Sequence, residues 1–191
     1  MDYDSQPAAI INDTYVALLF SIGISEGRRL MMADWRSMME DIGLQNPQTL
    51  IATGNAVFKT RKVGTRELEI RLEDAFERRF GRRVDTIVRA AVPFRRLMEG
   101  NPFLKESKQD GSRVMVRVMR EPLEQNFAAA LKPYLTQGER VKVVCGDLWV
   151  HFQHKPNESR LMSVLGSKRL GTGTVRNWNT VRRLNEMLDS G

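Results

Sequence analysis

The chain has 191 residues, of which 41% are hydrophobic and 28% charged, with a net charge of +7. That length suits one large domain or two small ones sharing an interface, and the balance is that of a chain with an apolar core rather than a disordered one. No apolar run approaches the roughly 18 residues of a membrane span, and the N-terminus carries Asp2, Asp4 and Asp13 where a signal peptide would carry cations. The one cysteine, Cys145, excludes an internal disulfide and fits a reducing cytoplasm. A pI near 9.9 permits attraction to polyanions without marking a site for them.

Residues 1–13 read as a leader ahead of the first strand. Thr14 to Phe20 is a near-continuous apolar run, the pattern of a buried strand. Ser21 to Leu30 is loop-like, and Met32, Trp35, Met38, Met39 and Ile42 then recur at helical spacing before Gly43, a C′ stop. Thr49–Ala52 and Ala56–Phe58 are short strands around Thr53-Gly54-Asn55, a hairpin signal. Thr65 is placed to cap a helix with Leu68, Leu72, Ala75, Phe76 and Phe80 on its apolar face, ended by Gly81. Val84–Arg89 follows as a strand. The order β-α-β-β-α-β is the ferredoxin-like split unit, with helices over one face of a four-stranded antiparallel sheet.

The second half repeats the plan less cleanly. Pro93, expected at N1, opens a connector helix with Phe94, Leu97 and Met98 inward, and Asn101-Pro102-Phe103 ends it. Lys105 to Ser112 reads as a polar loop, and Arg113–Met119 alternates with Val114, Val116 and Val118 on one face. Pro122 opens a helix expected to bury Leu123, Phe127, Ala130 and Leu131. Val141–Val144 and Leu148–Phe152 are strands around Cys145-Gly146-Asp147, and a short helix carries Leu161, Val164 and Leu165. The last stretch, Gly171-Thr-Gly-Thr-Val-Arg-Asn-Trp-Asn-Thr-Val-Arg-Arg183, reads as a small-residue loop running into a helix with Trp178, Val181, Leu184 and Leu188 on one face. Gly54-Asn55 and Gly146-Asp147 hold the same place in each half, followed by segments ending at Phe58 and Phe152. The expectation is an α+β chain of two ferredoxin-like halves with antiparallel sheets, residues 14–90 and 113–191, joined by a connector over 91–112.

Tyr15-Val-Ala-Leu-Leu19, Gly54-Asn55-x-Val57-Phe58, Asn101-Pro102-Phe103 and above all Arg176-Asn-Trp-Asn-Thr-Val181 resemble the bacterial domain-of-unknown-function 1697 family, from about Thr14 to Leu188. The resemblance implies a duplicated ferredoxin-like fold and no settled activity. One departure stands out. Where the family reads Arg-Gly-Ile-Asn-Val-Gly-Gly, this chain reads Phe20-Ser-Ile-Gly-Ile-Ser-Glu26, so a charged donor, an amide and a flexible turn are gone. If that loop holds a ligand in relatives, this protein holds it differently or not at all.

No catalytic constellation emerges. No neighbouring residue in the sequence marks Cys145 as a nucleophile, and His151 and His154, three apart on an extended segment, face opposite ways and have no metal set to complete. Glu67, Glu69, Glu73, Asp74 and Glu77 alternate with Arg66, Arg71, Arg78 and Arg79 as on a solvated helix face. Gly166-Ser-Lys-Arg-Leu-Gly171 lacks the Walker pattern, and no Gly-x-Gly-x-x-Gly opens a βαβ unit. Neither a cofactor nor a metal is expected.

Charge concentrates at the end of the chain, where no acidic residue occurs between Glu158 and Glu186. A Gly-Thr-Gly-Thr loop before a helix offers free N–H groups and a positive dipole end. The leading expectation is therefore an anionic partner, a phosphorylated metabolite or nucleic acid, held by Lys168, Arg169, Thr172, Thr174, Arg176, Asn177, Arg182 and Arg183, with Asn55 from the first half. Two other readings stand beside it. One is an enzyme acting on a phosphorylated or carboxylated metabolite in a cleft between the halves, with Asn55, Arg176 and Asn177 as polar contacts. The other is structural: Arg176, Asn177 and Asn179 satisfy backbone groups and Trp178 anchors the last segment across both halves. Burial of Arg176 and Asn177 against protein groups separates the structural reading from the other two.

Overall fold

The computed structural model describes residues 12–20, 30–136 and 138–189. In the first half β1 (Asn12–Leu19), α1 (Met32–Asp41), β2 (Gln45–Leu50), β3 (Asn55–Arg61), α2 (Thr65–Phe80) and β4 (Thr86–Ala90) follow in the expected order. The second half begins with β5 (Val114–Met119) and a 3-10 helix (Gln125–Tyr134), followed by β6 (Arg140–Val144), β7 (Asp147–His151), α5 (Arg160–Leu165) and β8 (Gly173–Asn177). Between the halves lie α3 (Ala91–Glu99) and α4 (Leu104–Gln109), and α6 (Trp178–Asp189) closes the chain. The sheets have orders β2-β3-β1-β4 and β6-β7-β5-β8, antiparallel throughout. This is the α+β architecture of two ferredoxin-like halves.

Strand alternation divides the apolar residues among three cores. Tyr15, Ala17 and Leu19 face outward from β1 under α1 and α2, joining Trp35, Met39, Leu68, Leu72 and Phe76. Val16 and Leu18 face the other way and meet Val114, Val116 and Val118 of β5 in a central core shared by both sheets. Phe94 and Leu97 of α3 and Val181, Leu184 and Leu188 of α6 complete that core. The third core, on the outer face of the second sheet, gathers Leu131, Val143, Leu148, Val150, Phe152, Leu161 and Leu165 under the 3-10 helix and α5.

Several expectations are corrected locally. β1 starts at Asn12, earlier than the expected Thr14. The cap of α2 is Gly64, with Thr65 already helical. Pro93 is the third residue of α3, still within the first turn where its missing N–H costs nothing. Asn101-Pro102-Phe103 does not give way to a loop. The Asn101 side chain accepts from Phe103 N–H (2.9 Å) and donates to Ser107 Oγ (3.1 Å), which organises α4 where a polar loop was expected. The segment after Pro122 coils as a 3-10 helix with Pro133 inside it, and it buries Leu131 while leaving Ala130 exposed. The expected small-residue loop holds at Gly171 and Thr172, but Gly173 and Thr174 already belong to β8, because Thr174 and Val175 suit a strand and pair with β5. Glu69 and Glu73 are not solvated. Their carboxylates, 3% exposed, accept from the outward N–H groups of Val88 and Thr86 on edge strand β4 (3.0 Å each). Arg120 from the second half pairs with both.

Candidate functional site

The hairpins at the starts of β3 and β7 place the first group of interest. Gly54 (φ 71°) and Gly146 (φ 83°) both sit in the left-handed region. A Cβ at Gly54 would stand 2.7 Å from Leu19 Cβ, and one at Gly146 would stand 2.4 Å from Pro122 Cβ. Each glycine delivers the next residue, Asn55 or Asp147, to the interior, where they are 0% and 6% exposed.

The strand registers make these residues equivalent, and with them a pair of arginines. Val16 pairs with Arg89 across β1–β4 as Val116 pairs with Arg176 across β5–β8. Each arginine crosses to the other half. Arg176 Nε donates to Asn55 Oδ1, and Nη2 donates to Leu19 O (2.9 Å) and Thr53 O (3.2 Å). Its Nη1 donates to Thr174 Oγ1 (2.7 Å) and Val175 O (2.8 Å), and Thr174 Oγ1 in turn donates to Leu19 O (3.1 Å). All three nitrogens of the fork are thereby spent on protein acceptors. Reciprocally, Arg89 Nη2 donates to Met119 O and lies 3.5 Å from Asp147 Oδ1, while Asp147 Oδ1 accepts from Met119 N–H (2.7 Å). Leu19 and Met119 are themselves equivalent, so two crossed arginine clasps bind the halves. The Phe58–Phe152 correspondence does not hold: with Asn55 matched to Asp147, Phe58 falls opposite Val150.

Electrostatics separates the two clasps. Burial pulls the Arg176 guanidinium down to about 10, which leaves it charged at neutral pH. Burial pushes the Asp147 carboxyl up against the opposing pull of Arg89.

The other expected residues lie apart from this clasp. Lys168 pairs with Asp85 (2.5 Å) and lies over the Phe20 ring. Arg169 points elsewhere, beside a cavity under the 3-10 helix. Thr172 O accepts from Arg120 N–H (2.8 Å). Asn177 Oδ1 accepts from Thr180 N–H (2.9 Å), capping α6. Arg182 and Arg183 are exposed, and Arg182 pairs with Glu186 (2.9 Å). Around Leu165–Gly171 the backbone does the reverse of a phosphate loop. Its carbonyls at Leu165, Ser167 and Gly171 turn inward and accept from the buried Arg117. Of the altered loop at 20–26, all but Phe20 lies outside the described residues.

A cleft of about 510 Å³ opens where the first turn of α6 meets the 104–112 connector. Trp178, Asn179 and Arg182 line one side, and Ser107, Lys108 and Gly111 line the other. Lys108 has no ion pair among the described residues. Asp110, also at the rim, is occupied: Ser112 donates to it, its pKa falls for that reason, and Arg113 stands 3.0 Å away. A neighbouring cleft holds Glu106, Arg113, Arg140 and His151. Asp110 lines it as well, and its charges cancel: Arg113 pairs with Asp110, and Arg140 pairs with Glu106 and holds that carboxyl below its ordinary range. His151 is pulled down by burial and then by Arg140. Lys108 was missed in the sequence because the connector reads as a loop with no fixed neighbour.

Residues 13–149 match the family model described as a protein of unknown function, DUF1697. The chain belongs to this family. The match leaves β8 and α6 of this DUF1697 protein outside it, although Arg176–Val181 carries the most distinctive part of the resemblance. The fold is similar to that of a conserved bacterial protein from Streptococcus pneumoniae, with a TM-score of 0.73 and 19% identity over 93% of this chain and 99% of that one. Among curated proteins nothing matches. No helix among the described residues is long and apolar enough to cross a membrane, and no cluster of His, Cys, Asp and Glu among them could hold a metal.

Proposed function

We propose that this protein binds an anionic ligand, a phosphorylated small molecule or the phosphate of a nucleic acid, in the cleft between α6 and the 104–112 connector. The observation that carries this reading is that Lys108, with no ion pair among the described residues, and Arg182, whose exposed partner Glu186 stands outside the lining, share one cleft beside the Trp178 indole. The N-terminal end of α6 adds a positive dipole end at the same place. Asn179 supplies an amide, and the indole supplies a flat face for a base or another ring. Of the residues first expected to share an anion site, Arg182 is retained and Arg183 lies next to it on the exposed face of α6. Asn55, Thr174 and Arg176 receive the structural role, because their polar atoms already serve one another across the halves. This second reading concerns the clasp and leaves the cleft free to act.

Tryptophan fluorescence reads the cleft directly, since Trp35 and Trp149 are 0% and 1% exposed while Trp178 is half-buried. Titrations with pyrophosphate, a nucleoside monophosphate, and single- and double-stranded oligonucleotides distinguish the sources of phosphate. Saturable quenching at low salt is expected, weakened about tenfold or more in Lys108→Ala/Arg182→Ala. If duplex DNA is the ligand, losing each phosphate contact flattens the salt slope by about 0.9. No quenching at low salt, or equal affinity in the double variant, overturns the proposal.

A further inference from the structure

The outer faces of the two sheets are covered unequally. Ten residues of α1 and sixteen of α2 roof the first sheet. The second has the ten-residue 3-10 helix and the six residues of α5. The 3-10 helix turns more tightly than an α-helix and rises faster per residue, so its side chains cover the sheet less evenly. Between it and α5 a cavity of about 430 Å³ remains, within the ordinary range for small-molecule sites.

The lining of this cavity sorts into two parts. Phe127, Leu131, Tyr134, Val164 and Leu170 make it apolar, and Tyr134 keeps 43% of its surface exposed. Polar groups gather at Ser163, Ser167 and Arg169. Ser163 Oγ is committed to Arg160 O (2.8 Å), and Ser167 Oγ accepts from Arg169 N–H (3.1 Å), which fixes the Arg169 backbone. The Arg169 guanidinium has no partner among the described residues, and no carboxylate lines the cavity. One unpaired fork donor beside an apolar chamber matches a ligand with an apolar body and a single anionic end.

We propose that the space between the 3-10 helix and α5 is a second binding site, for a small amphipathic monoanion such as a medium-chain or aromatic carboxylate. Arg169 takes the carboxylate, and Phe127, Leu131, Val164 and Leu170 take the body. The site stands apart from the α6 cleft and does not depend on it.

Octanoate and 1-octanol share a chain length and differ in charge, so together they separate the two halves of the claim. Amide shifts of the isotopically labelled full chain are followed during titration with each. Octanoate is expected to move, saturably, the resonances of Phe127–Tyr134 and Ser163–Leu170. Arg169→Ala, a surface change, should weaken octanoate about tenfold or more and leave octanol unchanged, the difference expected for one charge-assisted contact. Ala130→Trp, which fills the chamber from an exposed position, should abolish both, while Lys108→Ala/Arg182→Ala should alter neither. Shifts confined to other regions, no saturation by octanoate, or equal octanoate affinity in wild type and Arg169→Ala overturns the proposal.

Discussion

Arg89 and Arg176 hold the same strand position in the two halves and reach the same place on the opposite half, yet they are met differently. Arg176 is buried, and its partners are an amide, a hydroxyl and carbonyls. Arg89 retains 21% of its side chain exposed and is met by the Asp147 carboxylate and two carbonyls. The difference follows the water. Burying a carboxylate with Arg176 would add a second desolvation penalty that the attraction need not recover. Several neutral dipoles spread around the guanidinium satisfy its donors without that charge. Where solvent still touches the guanidinium, a carboxylate is tolerable, although its own burial strains it.

Removing Arg176 is the strongest way to break this comparison. Arg176→Met takes the Arg176 donors from Asn55 Oδ1, Thr174 Oγ1 and Thr53 O, leaves Leu19 O only its bond from Thr174, and should cost about 3–5 kcal/mol in urea unfolding. Arg176→Lys should recover little, because an ammonium cannot reproduce the planar fork. A loss below about 1 kcal/mol would show that water replaces the guanidinium freely and that the clasp is not a constraint.

Asn55→Asp sharpens it by importing the solution used by the other half. The amide donates to Leu50 O (3.1 Å) and Thr53 Oγ1 (2.8 Å), and a carboxylate can donate to neither. The charge facing Arg176 would improve while Leu50 O is left facing an anion. We expect a net loss of about 1–3 kcal/mol at neutral pH, measured by the same unfolding curves. A gain in stability would mean that the ion pair outweighs the lost donors. Arg89→Met should come lower, at about 1–2 kcal/mol, since the Arg89 side chain is itself 21% exposed and Asp147 keeps its bond to Met119 N–H.

The clasp shows where reading the chain succeeds and where it stops. Alternation in Val114–Val118 and the hairpin signals at Gly54 and Gly146 made both sheets legible, because strand period and turn chemistry are local. Asn55 and Arg176 were singled out, but not as partners of each other. Their contact spans 121 residues, and no periodicity encodes it. Glu69 and Glu73 read as solvated because the pattern on α2 alternates charge. Their burial depends on edge strand β4 and on Arg120, which lie elsewhere in the chain. Gly171 and Gly173 suggest a loop; Gly171 stays in one, while pairing with β5 draws Gly173 into the strand. Lys108 enters the cleft because the turn at Gly111 comes close to Trp178 and Asn179 of α6, for which a polar segment carries no signal.

The smallest change tests the electrostatic half of the comparison. Asp147→Asn keeps the acceptor for Met119 N–H and Arg89 and removes the buried charge, making position 147 resemble position 55. Burial raises the folded pKa of Asp147 above its unfolded value of about 3.9, so folding takes up a proton between the two. The stability contributed by this group is therefore full below about pH 3.9 and is lost as pH rises through the folded pKa. The variant lacks that dependence. Unfolding curves taken from pH 3 to pH 7 should show wild type losing ground to Asp147→Asn across this window, with the two ending within about 1 kcal/mol at neutral pH. If wild type instead gains on the variant as pH rises, attraction to Arg89 exceeds the cost of burial.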